Sequence, residues 1–371
     1  MAKSLRAALL GAALLTTFTV AHAQLLIGQT AGFSGPVAAG VKETTEGAKL
    51  WINSVNARGG VNGQKIELVS MDDKFDPKLT AQNAKKLVEE RNVLALFLTR
   101  GTPNNEAIIP VLEANNVALI APSTGAMVLH QPVNRHIFNV RSTYQREAEK
   151  ALDHLVGLGM LRIAVVAADD SFGGDVQKGL ARGFERHKIK PAAEISADRA
   201  KPDFATIVPA IIASQAQAVM WIGSGSSVSE GVKALRATGS AAQVLTLSNN
   251  ASSGFVKNMG EHARGVIVTQ AFPNERSAAS PFVREAMALA KAAGVDAVSP
   301  AMLEGYAGAK VLVEGLRRAG RNPTRASVQA ALETIQNMDI GGLDVTYSAT
   351  DHTGFDYAEL SIIGADGNFR R

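Results

Sequence analysis

Short apolar runs that alternate with helical patterns constrain this chain more than any other feature. Runs at residues 25–29, 66–71, 93–98 and 117–120 are each bounded by turn residues. Between them lie a helical stretch ending at about Asn56, a helix opened by Asp76-Pro77, and a helix over 103–115. Asp at the N-cap and Pro at the first helical position supply the start signal for the second of these. Runs of four to six apolar residues without polar alternation suit strands buried on both faces, as in a parallel sheet covered by helices. The first part of the chain therefore reads as a doubly wound α/β domain.

A second series follows. Ser142-Thr143-Tyr144-Gln145 has capping-box spacing and predicts a helix ending near Gly157 and Gly159. Strands are expected at 163–167, 192–195, 218–222, 244–247 and 265–270, with helices over about 174–187, 203–214 and 229–238. From residue 271 the pattern is helical, over 281–293, 300–319 and 324–333, before two strand-like runs at 343–347 and 357–363. Three helices in a row cannot make a sheet of their own, so they are expected to cover the first lobe's sheet. This organisation predicts a lobe of residues 24–141 plus 271–345, and a second of 142–270 plus 346–371.

A length of 371 residues fits two domains, and 46% hydrophobic against 19% charged residues rules out global disorder. Two of the four net positive charges, Lys3 and Arg6, sit at the N-terminus, and no basic run exceeds two residues. A nucleic-acid partner is not expected from such a distribution. The chain has no cysteine, which excludes disulfides, thiolate metal sites, cysteine nucleophiles and a lipidated N-terminal cysteine. Residues 1–23 combine the early positive charges, an apolar run over 7–20 and the small-x-small sequence Ala21-His22-Ala23. That is the pattern of a cleaved signal peptide; the apolar run is short of the roughly 20 residues that span a bilayer. The mature chain is expected to begin at Gln24 and to reside in the periplasm.

Catalytic and cofactor motifs are weak. Gly223-Ser224-Gly225-Ser226-Ser227-Val228 has two of the three glycines of a dinucleotide loop, but Val228 stands at the third, and no acid follows the next strand. The histidines of the mature chain (His130, His136, His154, His187, His262, His352) have no metal-ligand spacing, and the Asp72, Asp73, Asp76 group does not match a calcium loop. Neither a cofactor, a metal nor an enzymatic activity is expected. More informative are Arg100-Gly101-Thr102-Pro103-Asn104-Asn105 and Pro122-Ser123-Thr124-Gly125, two small polar turns after consecutive strands. Parallel sheets bind ligands at the carboxyl ends of their strands, and a helix start there offers backbone N–H groups to a carboxylate. Arg100 ends an apolar strand, where packing does not explain a long basic side chain, and is expected to be a cation that touches the ligand or stands directly behind the residues that do.

Several segments carry a resemblance: Gly35-Pro36, Glu46-Gly47-Ala48, the stretch 56–68 with its Gly-Gly-Val-Asn-Gly core, Asp72-Asp73, Asp76-Pro77, Ala121-Pro122-Ser123-Thr124, Phe138-Asn139-Val140-Arg141, Asp170-Ser171-Phe172-Gly173 and Glu304-Gly305-Tyr306. In this order they resemble the type I periplasmic binding proteins, in the branch of the leucine/isoleucine/valine-binding receptors of ABC importers. The resemblance implies two α/β lobes joined by three crossovers that close on a small ligand, usually an amino acid, and dock on an inner-membrane permease. It implies that Thr102, Asn104, Asn105, Ser123 and Thr124 hold the ligand carboxylate, that Phe172 lies over the ligand, and that Ser224 and Ser226 line the second lobe. Asn249, Gln270 and Glu304 complete the candidate set. Where amino-acid receptors of this kind place an acid for the ligand ammonium, the chain reads Ser248-Asn249-Asn250. This departure favours an organic carboxylate over an obligatory amino acid, with Glu304 the remaining acid that could serve. A monomeric transport receptor is the leading expectation; a sensor partnering a signalling receptor and a secreted α/β enzyme are the alternatives.

Overall fold

A computed structural model describes residues 24–371; the expected signal peptide, 1–23, lies outside the described residues. No helix of the described residues is long and apolar enough to cross a membrane. The first sheet contains five parallel strands in the order β2-β1-β3-β4-β5, with β1 Leu25–Ala31, β2 Ile66–Asp72, β3 Ala95–Phe97, β4 Ala118–Ile120 and β5 Ile137–Phe138. Its helices are α1 (Ala38–Ala57), α2 (Pro77–Lys85) and α3 (Thr102–Asn115). The Asp76 carboxylate accepts from Lys78 N at 2.8 Å, as the cap signal predicts. The expected strand 93–98 is shorter than its apolar run because Leu98 takes a left-handed conformation, φ +54°.

The second sheet runs β15-β14-β10-β9-β8-β6-β7. Its parallel part comprises β6 (Ile163–Ala168), β7 (Ala193–Ala197), β8 (Ala218–Ile222), β9 (Gln243–Thr246) and β10 (Ile267–Gln270). The terminal strands follow at the edge: β14 (Glu359–Ile363) pairs antiparallel with β10, and β15 (Phe369–Arg370) antiparallel with β14. The helices here are α4 (Tyr144–Gly157), α5 (Ser171–His187), α6 (Phe204–Ala213), α7 (Gly225–Ala237) and the short α8 (Ser253–Met259). Thr143, rather than Ser142, caps α4, accepting from Arg146 N; the Ser142 hydroxyl donates instead to the Tyr357 carbonyl. Helix α7 begins four residues earlier than expected, inside the glycine-serine loop.

Helices α9 (Pro281–Ala292), α10 (Pro300–Arg318) and α11 (Arg325–Glu333) return to the first lobe and share its core: Phe282, Leu303, Tyr306, Leu312 and Leu332 pack with Ile27, Phe97, Ile120 and Phe138. The α1–α10 crossing is close because two glycines face it. A Cβ on Gly47 would lie 1.9 Å from the Met302 carbonyl oxygen, and one on Gly305 1.7 Å from that of Thr44. A small sheet of β11 (Met338–Asp339), β12 (Asp344–Ser348) and β13 (Asp351–Gly354) also stays with the first lobe. The Tyr347 hydroxyl donates to the Asn139 carbonyl at 2.6 Å, and His352 stacks on Phe138. The chain therefore leaves the first lobe for the last time after Phe355, some ten residues beyond the boundary read from sequence, because Val345, Tyr347 and Phe355 are claimed by the first core.

Candidate functional site

Strand order places the site. In the first sheet β2 and β3 flank β1, and in the second β7 and β8 flank β6, so the chain reverses its winding direction beside β1 and β6. Crevices at the carboxyl ends of such strands are where open α/β sheets take ligands. In the first lobe a backbone device opens the crevice further. Leu98 and Ala121, each one residue past its strand, are both left-handed (φ +54° and +50°) and both buried. Left-handed conformations in such non-glycine residues are sparsely populated and concentrate at functional sites. The paired kinks redirect both chains together, and the strands pair once more through an Arg100–Ser123 bridge.

The inter-lobe cleft so formed has two chambers. The inner one is lined by Phe75, Arg100 and Thr102 of the first lobe and by Tyr144, Phe172, Arg199 and Ser224 of the second. Side chains fill it almost completely, leaving about 20 Å³, room for one water. The outer chamber, about 410 Å³, lies between the start of α1 and the α8 region, and Arg100 and Asn249 line both.

Arg100 crosses from one lobe to the other. Its guanidinium donates to the Ser123 hydroxyl at 2.9 Å and, across the cleft, to the Asn249 carbonyl. It is 5% exposed and makes no ion pair with a carboxylate among the described residues. Arg199, in contrast, is bound to the α5 cap Asp170 by two contacts of 2.7 and 2.9 Å. Its guanidinium stands 4.8 Å over the Phe172 ring and 5.3 Å over that of Phe75 in the opposite lobe. Burial holds the Arg199 guanidinium below the usual arginine range; Asp170 opposes the shift and the charge of Arg100 adds to it. Tyr144 meets Phe172 edge-on, 4.9 Å between centroids.

Other bonds close the lobes on each other. Ser226 N donates to the Pro36 carbonyl at 3.3 Å, and the Glu43 carboxylate accepts from Ser253 N and Gly254 N at 2.9 and 2.7 Å. On the far side of the cleft the Ser171 hydroxyl donates to Glu106, and Asp175 accepts from Met127 N. At the first crossover sits a buried charge network. Arg141, 1% exposed, donates to Glu147 and the Ser248 hydroxyl and lies 3.6 Å from Glu304. Glu147 also accepts from Ser248 N, Ser248 Oγ and the Thr269 hydroxyl. Burial opposes the charge of Arg141, but Tyr144, Glu147 and Glu304 together hold its pKa above the ordinary arginine value. Nearby, burial and the charge of Arg141 push the His130 imidazole down to about 4.

The candidate residues divide into those that face the cleft and those behind it. Arg100, Thr102, Phe172, Ser224 and Asn249 line the inner chamber, and Ser226 the outer one. The Ser224 hydroxyl and Asn249 Oδ1 are buried without a protein partner. Ser123 and Thr124 stand one layer back: Ser123 supports Arg100 and donates to Glu304 at 2.7 Å, and the Thr124 hydroxyl meets that of Thr102 at 2.9 Å. Asn104 and Asn105 turn into the first lobe, where their amides donate to the Thr80 hydroxyl and to the Thr99 and Gly101 carbonyls. Gln270 ends β10 beside Glu359, away from both chambers. Glu304 is occupied by Ser123 and Arg141 rather than open to the cleft. Phe75, Tyr144 and Arg199 were not legible as site residues, although Phe75 and Arg199 follow β2 and β7 at the same sheet edges as the loops that were.

Comparison with known proteins agrees with this architecture. The sequence model of a family described as periplasmic binding protein matches residues 24–362. A Leu/Ile/Val-binding protein homolog from Brucella melitensis is 25% identical over 340 residues, 90% of this chain and 89% of the relative. Among solved structures, a substrate-binding periplasmic protein from Ralstonia solanacearum superposes with a TM-score of 0.88 at 30% identity, covering 94% of this chain and 99% of that one. A possible leucine/isoleucine/valine-binding protein from Rhodopirellula baltica gives 0.87 at 27% identity, covering 93% and 96%. Two doubly wound lobes, a cleft at their switch points and a family match over nearly the whole described chain make this protein a member of the periplasmic binding protein family, a binding protein and not an enzyme.

Proposed function

We propose that the chain is a periplasmic solute receptor that binds a small organic carboxylate between its lobes, with an α-amino group optional, and delivers it as a monomer to an ABC importer. One observation carries the ligand class: Arg100 is buried in the cleft with only neutral partners. A buried cation without a counter-charge is costly, and a carboxylate seated on it supplies both the charge and the acceptors it lacks. Thr102 and Ser224 add neutral polar groups, and Phe172 and Tyr144 an apolar wall.

An obligatory amino acid fits the cleft poorly. Its ammonium would need an acid, and the two beside the inner chamber's Phe172 and Arg100 are engaged: Asp170 by Arg199, Glu304 by Arg141 and Ser123. Relatives named for leucine, isoleucine and valine support the transport role more than the ligand. Export rests on the signal-peptide pattern of residues 1–23, and lobe closure on the bonds that already cross the cleft. The test is mass spectrometry of small molecules released from protein purified natively from the periplasm. An organic carboxylate is expected, with or without an α-amino group; a stoichiometric ligand that carries no carboxylate would overturn the ligand assignment.

A further inference from the structure

Resting on the carboxylate reading, we infer that the ligand is an extended one: a carboxylate on Arg100 carrying a mainly apolar body that lies in the outer chamber, along the start of α1. Four observations converge. The inner chamber has room for one water and the outer for about 410 Å³, within the range of small-molecule sites. Arg100 forms the wall between the two, so an anion held by it can direct its body outward. The α1 side of the outer chamber is apolar or small, with Val37, Ala38, Ala39 and Gly40, and Phe255 faces it; Ser226, Asn249, Asn250 and Ser252 make the rest of the second-lobe side polar. Its rim is polar, where Lys42 and Asn258 are exposed.

Gly40 is the most telling of these residues. Unlike Gly47 in the same helix, it has no crowding to explain it: a Cβ there would find Arg100 Nη2 at 3.7 Å and the Asn249 carbonyl at 3.9 Å, both ordinary contacts. Glycine costs helix stability relative to residues such as leucine, and this one is buried under the Arg100 guanidinium and the Asn249 carbonyl, where a larger side chain would press on both. Its small size lets the guanidinium and the Asn249 carbonyl sit close on α1 at the edge of the chamber. A ligand body placed there lies on the α1 backbone and meets Phe255 on the opposite lobe, so it contacts both lobes in the closed state.

The experiment is isothermal calorimetry of the mature full chain with butanoate, hexanoate and octanoate, repeated with Arg100→Ala and Gly40→Leu. Affinity is expected to rise with length by up to about fourfold per methylene, the value of burying a CH₂. Arg100→Ala should weaken the whole series, and Gly40→Leu should bring octanoate down to the level of butanoate in the same variant. Should Gly40→Leu fail to fold, the length series of the unmodified chain decides alone. Affinity that stays flat or falls with length, while butanoate binds through Arg100, overturns the outer subsite and leaves the carboxylate reading standing. Binding of none of the acids, or binding indifferent to Arg100→Ala, overturns both.

Discussion

Arg141→Met is the sharpest perturbation of the crossover. The substitution keeps most of the side-chain volume but leaves Glu147, fully buried, and Glu304, nearly so, without their shared cation. Glu147 retains three donors, from Ser248 N, the Ser248 hydroxyl and the Thr269 hydroxyl; Glu304 retains only Ser123. Breaking a buried pair by removing one partner costs about 3–5 kcal/mol, whereas replacing all the charges together is close to neutral. Arg141→Met should therefore lose about 4 kcal/mol, and with an m-value near 3 kcal/mol/M its urea midpoint should fall by about 1 M or slightly more. The triple variant Arg141→Met, Glu147→Gln, Glu304→Gln should recover at least about half of that loss. A single variant that loses less than about 1 kcal/mol, or a triple variant no more stable than the single, would refute the view that these charges depend on one another.

Arg100→Ala should weaken binding of a carboxylate ligand at least tenfold in a calorimetric titration, since a charge-assisted bond is worth about 1.5–3 kcal/mol; an unchanged dissociation constant returns Arg100 to a purely lobe-bridging role. Burial pushes the Glu275 carboxyl up to about 7, so the folded state binds its proton more tightly than the unfolded chain does. Its contribution is intact below pH 4.5 and is lost as pH rises through 7, by up to about 3 kcal/mol. Glu275→Gln should accordingly match the parent in urea at pH 5 and exceed it at pH 8, and an equal difference at both values excludes this cause. X-ray scattering should report a smaller radius of gyration with saturating ligand than without, because the candidate ligand groups come from both lobes and a ligand held by both favours the state that joins them. Superimposable curves count against closure.

Much of the fold was legible because the parallel strands are buried on both faces, which leaves continuous apolar runs such as 163–167 and 218–222. The return of α9 to α11 to the first lobe also followed, from the lack of any strand between them. The site was legible in part. Loops after β3 and β4 were recognisable by composition, but nothing in a leucine or an alanine signals the left-handed kinks at Leu98 and Ala121 that aim them. Asn104 and Asn105 were read as carboxylate-holding residues from the resemblance, together with Thr102 in the same loop. Successive residues of a helix turn by about 100°, which carries both amides from the cleft to the Thr80 and Thr99 side. Arg199 lies 99 residues beyond Arg100 in the chain and joins the same chamber only through packing against Phe75 and Phe172. Glu304 had the right chemistry for an ammonium partner; only the position of Arg141 shows that it is already engaged.

The central proposal is that the cleft takes a carboxylate and does not require an ammonium. Calorimetry with leucine and with 4-methyl-2-oxopentanoate, which share a skeleton and a carboxylate and differ at the α-carbon, tests this most directly. The keto acid is predicted to bind at least as tightly as leucine, with leucine bearing the cost of an unpaired ammonium. Tight binding of leucine that Glu304→Gln abolishes, with no binding of the keto acid, would contradict it.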